Sequence, residues 1–218
     1  RSLIAPMLTR KNQIIAMSTY NRKNELLEAF NDFWQKALNS NEDYYSKLTF
    51  KEFVDLKKAV ANINNIITML VTESFVHTLH KDSVISTSQQ SEMLKQLFEM
   101  HANTNGFDVE YSDKQMKIVA EVKCNIPVNE TSFGAAQENS IMDDVDHLFH
   151  SKKKSDLTPK AIQEYYKFMV FLDVENVHVA AQKLIQKLTK KGYQIAEYTP
   201  KTKLQKDIVY FIYISTEK

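Results

Sequence analysis

Gly106-Phe107-Asp108-Val109-Glu110-Tyr111-Ser112-Asp113-Lys114-Gln115-Met116-Lys117-Ile118-Val119-Ala120-Glu121-Val122-Lys123-Cys124 is the stretch in which the chain changes from helical to strand grammar. Residues 107–111 alternate with period two, residues 112–115 are turn material, and residues 116–124 return as a second strand, which predicts a β-hairpin. Pairing Tyr111 with Met116 across a four-residue turn sets Asp108 opposite Val119 and diagonally near Glu121. On the second strand Ile118, Ala120 and Val122 face one way, while Glu121 and Lys123 face the other. Two carboxylates and an ammonium thus project from one ribbon with apolar residues on both sides.

Upstream, residues 1–100 read as helical, because apolar positions recur at three- and four-residue spacing and glycine is absent. Leu26, Leu27, Phe30, Phe33, Trp34 and Leu38 form one stripe. A second starts at Thr49, whose spacing to Glu52 fits a capping box, and continues through Phe53, Leu56, Val60, Ile63, Ile67, Leu70, Val71 and Phe75. A third helix is expected over residues 88–101. Downstream come a loop over 127–133, a helix over 135–149 and a lysine-rich loop over 151–156. Thr158-Pro159 reads as a further helix start. Strands are expected over 167–173, 193–198 and 208–215, with an amphipathic helix over 177–188 between the first two. This order predicts an α/β fold, a mixed central sheet flanked by helices. Residues 1–87 form an N-terminal helical region packed on a core of residues 88–218, one globular domain overall.

Composition narrows the function classes. A chain of 218 residues with 43% hydrophobic content can bury one sizeable core. Its 28 basic residues nearly balance its 27 acidic ones, so any polyanion site must come from local clustering. The single cysteine, Cys124, excludes an internal disulfide framework and a zinc site of several thiolates; a reducing cytoplasmic setting is the simpler expectation. No run of about 18 uncharged apolar residues occurs, and the opening residues lack a signal-peptide layout, so no membrane association is expected. The chain starts at Arg1 rather than methionine, and upstream sequence is expected. Gly106, Gly134 and Gly192 lie too far apart for a phosphate-cradling loop, which argues against a nucleotide cofactor.

Hard divalent cations take carboxylate oxygens, which Asp108 and Glu121 can supply together with the Val122 carbonyl. Lys123 beside such an ion can orient a water or offset charge on a phosphate. An acid followed two residues later by lysine is also what a solvent-facing strand edge displays. Asp108 at hairpin distance, Gly106 beside it and a helix immediately after tip the reading toward chemistry.

Asp108 followed by Glu121-Val122-Lys123 on a hairpin resembles the PD-(D/E)XK nuclease superfamily, which includes type II restriction endonucleases, DNA repair nucleases and junction resolvases. The resemblance covers roughly residues 88–175 and departs from the family pattern at Phe107, where proline is usual. It implies a restriction-endonuclease-like core, Mg²⁺ (or Mn²⁺ in its place) held by Asp108 and Glu121, and Lys123 assisting the attacking water. The implied activity is hydrolysis of DNA phosphodiesters, most like a type II restriction endonuclease working on double-stranded DNA as a homodimer. Some relatives add a glutamate from a preceding helix, for which Glu73 is the candidate. Gln137 opens the helix after the second strand and can touch phosphate or water, and Glu110 is the second choice for the role of Asp108. Lys152, Lys153 and Lys154 are the expected DNA contacts, within a segment where lysines outnumber acids by about seven. The pairs His77/His80 and His147/His150 share helix faces without specifying zinc. The alternative function is a non-catalytic protein- or nucleic-acid-binding module that keeps the hairpin as scaffold.

Overall fold

The computed structural model describes residues 21–100, 106–128, 130–153 and 155–215; Lys154 and His101 lie outside them. The chain divides into two compact units at the Val60/Ala61 boundary. The first contains α1 (Arg22–Leu38), α2 (Tyr44–Lys47) and α3 (Phe50–Val60). Asn21 caps α1 through its side chain, and α1 stops at Asn39, which adopts a left-handed conformation at φ 49°. The Thr49–Glu52 capping box forms, with the Thr49 N–H donating to Glu52 Oε2 at 2.7 Å. The helix it opens ends at Val60 instead of running through to Phe75: Ala61 and Asn62 form a turn, and Asn62 stands at the N-terminus of a separate helix.

That helix, α4 (Ile63–Lys81), belongs to the second unit together with α5 (Thr87–Glu99) and the sheet. By length and composition the segment Phe50–Lys81 is apolar enough to cross a membrane. Within α4 that character has another use, because Val71, Phe75, Val76 and Leu79 are buried against the sheet. The Ser86/Gln89 capping box starts α5.

β1 (Val109–Ser112) and β2 (Lys117–Lys123) form the expected hairpin, followed by α6 (Ala135–His150), β3 (Tyr166–Leu172), α7 (Val177–Lys190), β4 (Ile195–Glu197) and β5 (Val209–Ile214). The helix expected from Thr158-Pro159 is reduced to a 3-10 turn, Ala161–Glu164, because Tyr165 already takes an extended conformation leading into β3. The sheet has five strands in the order β1-β2-β3-β5-β4, with β1 antiparallel to β2 and every other pairing parallel, so it is mixed and flanked by helices. Alternation along the central strands divides the core in two. Ile118, Ala120, Val122, Phe168, Val170 and Ile212 pack toward α4 and α5, whereas Val119, Met169, Phe171 and Phe211 pack toward α6 and α7. A strand buried on both faces has no room for charge, and that makes Glu121 and Lys167 conspicuous. Lys167 is fully enclosed, donates to the Tyr165 and Lys206 carbonyls at 3.0 and 2.5 Å, and has its amine pushed down by burial to about 8.

The hairpin register differs from the sequence expectation. Asp113 N–H donates to the Met116 carbonyl at 2.9 Å, leaving Lys114 and Gln115 as the turn, and Tyr111 pairs with Ile118. The cause is the Asp113 side chain. Its Oδ1 accepts from the Gln115 and Met116 N–H groups at 2.7 and 2.6 Å, and its Oδ2 accepts from Gln89 Nε2 and the Tyr111 hydroxyl. Those four donors, Gln89 foremost, hold its carboxyl well below the ordinary 3.8. Asp113→Ala is expected to lower the melting temperature by several degrees at neutral pH. A depressed carboxyl stabilises above its unfolded value, so the gap between variant and wild type should close as pH falls below about 4. Thermal scans of both proteins across that range check it.

Candidate active site

The corrected register puts Asp108 one step beyond the Val109–Ala120 pair, directly opposite Glu121. Asp108 Oδ2 accepts the Val122 N–H at 2.7 Å, which fixes the carboxylate against the end of β2. Burial raises its pKa, opposed by that N–H and by the charges of Lys152 and Lys123, and assisted by Asp144.

Glu121 is only 3% exposed in the middle of a strand buried on both faces. Burial first, then the neighbouring charge of Asp108, push its carboxyl up to about 8. Lys152 Nζ lies 2.6 Å from Glu121 Oε1, and its charge opposes that rise. Lys123, two residues on, pairs through Nζ with Asp144 Oδ2, and Ser140 Oγ lies 3.4 Å from the same Nζ. Asp144 and Ser140 both come from α6.

The structure therefore joins Asp108, Glu121 and Lys123 in one charged cluster and adds Asp144 and Lys152 to it. Asp144 carried a readable signal. Ile141, Val145 and Leu148 mark the inner stripe of α6, and Asp144 falls inside that stripe at three- and four-residue spacing. Lys152 turns toward the hairpin, with Nζ donating to the Gly106 carbonyl at 2.9 Å and lying 5.0 Å over the Phe107 ring. Lys153 is exposed.

The remaining candidates sit elsewhere. Glu73 lies 3.8 Å from His77 one turn further along α4, and no contact among the described residues ties it to Asp108 or Glu121. Gln137 folds back on its own helix start, accepting the Gly134 N–H at 3.0 Å and donating to the Ile126 carbonyl at 3.3 Å. Its amide is occupied by holding the turn between β2 and α6. Glu110 is exposed opposite Val119, with burial and the charge of Asp156 raising its pKa. His80 contacts Thr87, and His150 contacts Asp146.

As a donor set for a cation, the site offers the two opposed carboxylates of Asp108 and Glu121. Among the described residues no group of three or more His, Cys, Asp and Glu side chains converges as a metal cage. Two carboxylates suit Mg²⁺, which usually keeps several waters and takes one or two protein carboxylates. No protein-family model, curated protein or solved structure matches this chain.

Proposed function

We propose that the chain is a Mg²⁺-dependent endonuclease of the PD-(D/E)XK kind, hydrolysing DNA phosphodiesters at the end of the β1–β2 hairpin. The observation that carries the reading is Glu121: a carboxylate enclosed in a two-faced strand, opposite the second buried carboxylate of Asp108. Such a group destabilises the fold by its charge and has little structural use, which favours a functional role.

In this reading Asp108 and Glu121 hold the ion, with Asp108 kept in place by the Val122 N–H. The ion supplies Lewis-acid stabilisation of charge on the phosphate. Lys123 Nζ, steadied by Asp144 and Ser140, orients the attacking water and meets the negative charge that builds up on the phosphoryl oxygens. Double-strand cutting needs two such sites, so the active species is a homodimer, of the type II restriction kind.

One observation favours the alternative of a non-catalytic binding module: the two ammoniums of the cluster already have carboxylate partners, Asp144 for Lys123 and Glu121 for Lys152. Incubation of the purified protein with supercoiled plasmid separates the two. The nuclease reading expects nicked and linear products with Mg²⁺ and none with chelator present. Intact plasmid under both conditions leaves the binding module, and cleavage of structured RNA in place of plasmid reassigns the substrate.

A further inference from the structure

Lys152 is placed by contacts within the protein rather than by solvent. Its Nζ reaches the Gly106 carbonyl at 2.9 Å, stands 5.0 Å over Phe107 and comes to 2.6 Å from Glu121 Oε1. The residue before it, Ser151, ends α6 at φ 72° and ψ 161°, a backbone conformation that an L residue holds only under constraint. Its hydroxyl is tied to the Leu157 carbonyl at 2.5 Å. Lys152 is thus bent back onto the hairpin from the end of the helix that also carries Asp144.

The contact with Glu121 is that of a point charge. The ammonium pairs with the enclosed oxygen at ion-pair distance, a compact cation against a carboxylate. We propose that Lys152 is a built-in cation on the Glu121 oxygen that a divalent ion would occupy, so that metal entry and release of Lys152 are a single event. The inference rests on the nuclease reading of the same site. Two cations cannot share one enclosed oxygen without strong repulsion, because little water intervenes to screen them. Metal entry therefore breaks the tie to Gly106 and frees an ammonium at the mouth of the site, where it meets the phosphate of an arriving strand. Without metal, the same side chain keeps the Glu121 oxygen covered.

Titration calorimetry with Mg²⁺, both proteins in the same buffer, compares wild type with Lys152→Met. The variant should bind about tenfold more tightly, since it has no internal competitor. Equal or weaker binding by the variant overturns the latch and leaves the metal-dependent reading standing. If neither protein binds Mg²⁺, both ideas fail.

Because Lys152→Met also gives up the Gly106 bond, wild type supplies an independent measurement. Limited trypsin digestion read by mass spectrometry should show cleavage after Lys152 speeding up about fivefold when Mg²⁺ is added. Glu121→Gln should be cut at the faster rate with or without the ion. A wild-type rate that Mg²⁺ leaves unchanged overturns the proposal.

Discussion

Lys123→Ala and Asp108→Ala are each expected to reduce Mg²⁺-dependent plasmid cleavage by about a thousandfold or more. The two losses have different causes. Asp108 supplies one of the two carboxylates proposed to hold the ion, and its geometry is set by a backbone donor, the Val122 N–H. Its removal should raise the Mg²⁺ concentration needed for half-maximal rate as well as lowering the maximum. Lys123 is held at both ends of its reach, by β2 and by Asp144 with Ser140. Its removal should lower the maximum with little change in the Mg²⁺ requirement, because it is not a ligand. Rates measured over a Mg²⁺ series resolve the two patterns, with circular dichroism as the check on folding. Variants that cut as fast as wild type would remove the hairpin from the chemistry.

Glu121→Gln is expected to abolish cleavage and at the same time to stabilise the fold. The sign follows from a carboxyl whose folded value, about 8, lies above the ordinary 4.5. Below pH 4.5 both states carry the proton and the group costs nothing. As pH rises from there toward 8, the unfolded chain ionises while the folded one resists, and stability falls. Above that range the cost is constant, on the order of 5 kcal/mol before relaxation. Glutamine has nearly the same shape and no charge to desolvate. In chelator, the variant should therefore melt at about 5 °C above wild type near pH 8.5 and at nearly the same temperature near pH 4.5. A variant no more stable than wild type at the higher pH would mean that Lys152 fully compensates the buried charge.

Much of the architecture was legible because its elements are strongly periodic. The expected helix over 135–149 and the expected strand over 208–215 match α6 (Ala135–His150) and β5 (Val209–Ile214) to within a residue. The hairpin was legible too, yet its register was not, since that depended on one aspartate side chain capturing two turn N–H groups. Period-two alternation gives the face of each residue and is blind to a shift of two. For the same reason Glu121 and Lys123 fell on the correct face while the partner opposite Asp108 was misread. The break at Ala61-Asn62 escaped because apolar spacing continues across it. Within the cluster, Asp108, Glu121 and Lys123 stood out by type and spacing. Asp144 did not, standing among Asp143 and Asp146 on an acidic helix, where only the inner stripe distinguishes it. Lys152 was legible as a cation and not as a group folded inward, because a run of lysines reads as solvated surface until a carbonyl such as that of Gly106 claims one of them.

The strand order carries a hazard as well as a site. Val-Tyr-Phe-Ile-Tyr-Ile, the sequence of β5, is an uncharged, β-prone segment of the sort that templates fibril growth when its rim is open. In this sheet it is interior, and the outermost places go to a four-residue strand bearing Glu110 and a three-residue strand bearing Glu197. Short, acidic margins give a neighbouring chain little to continue. Whatever strips β4 from β5 would turn a guarded margin into a seed for aggregation.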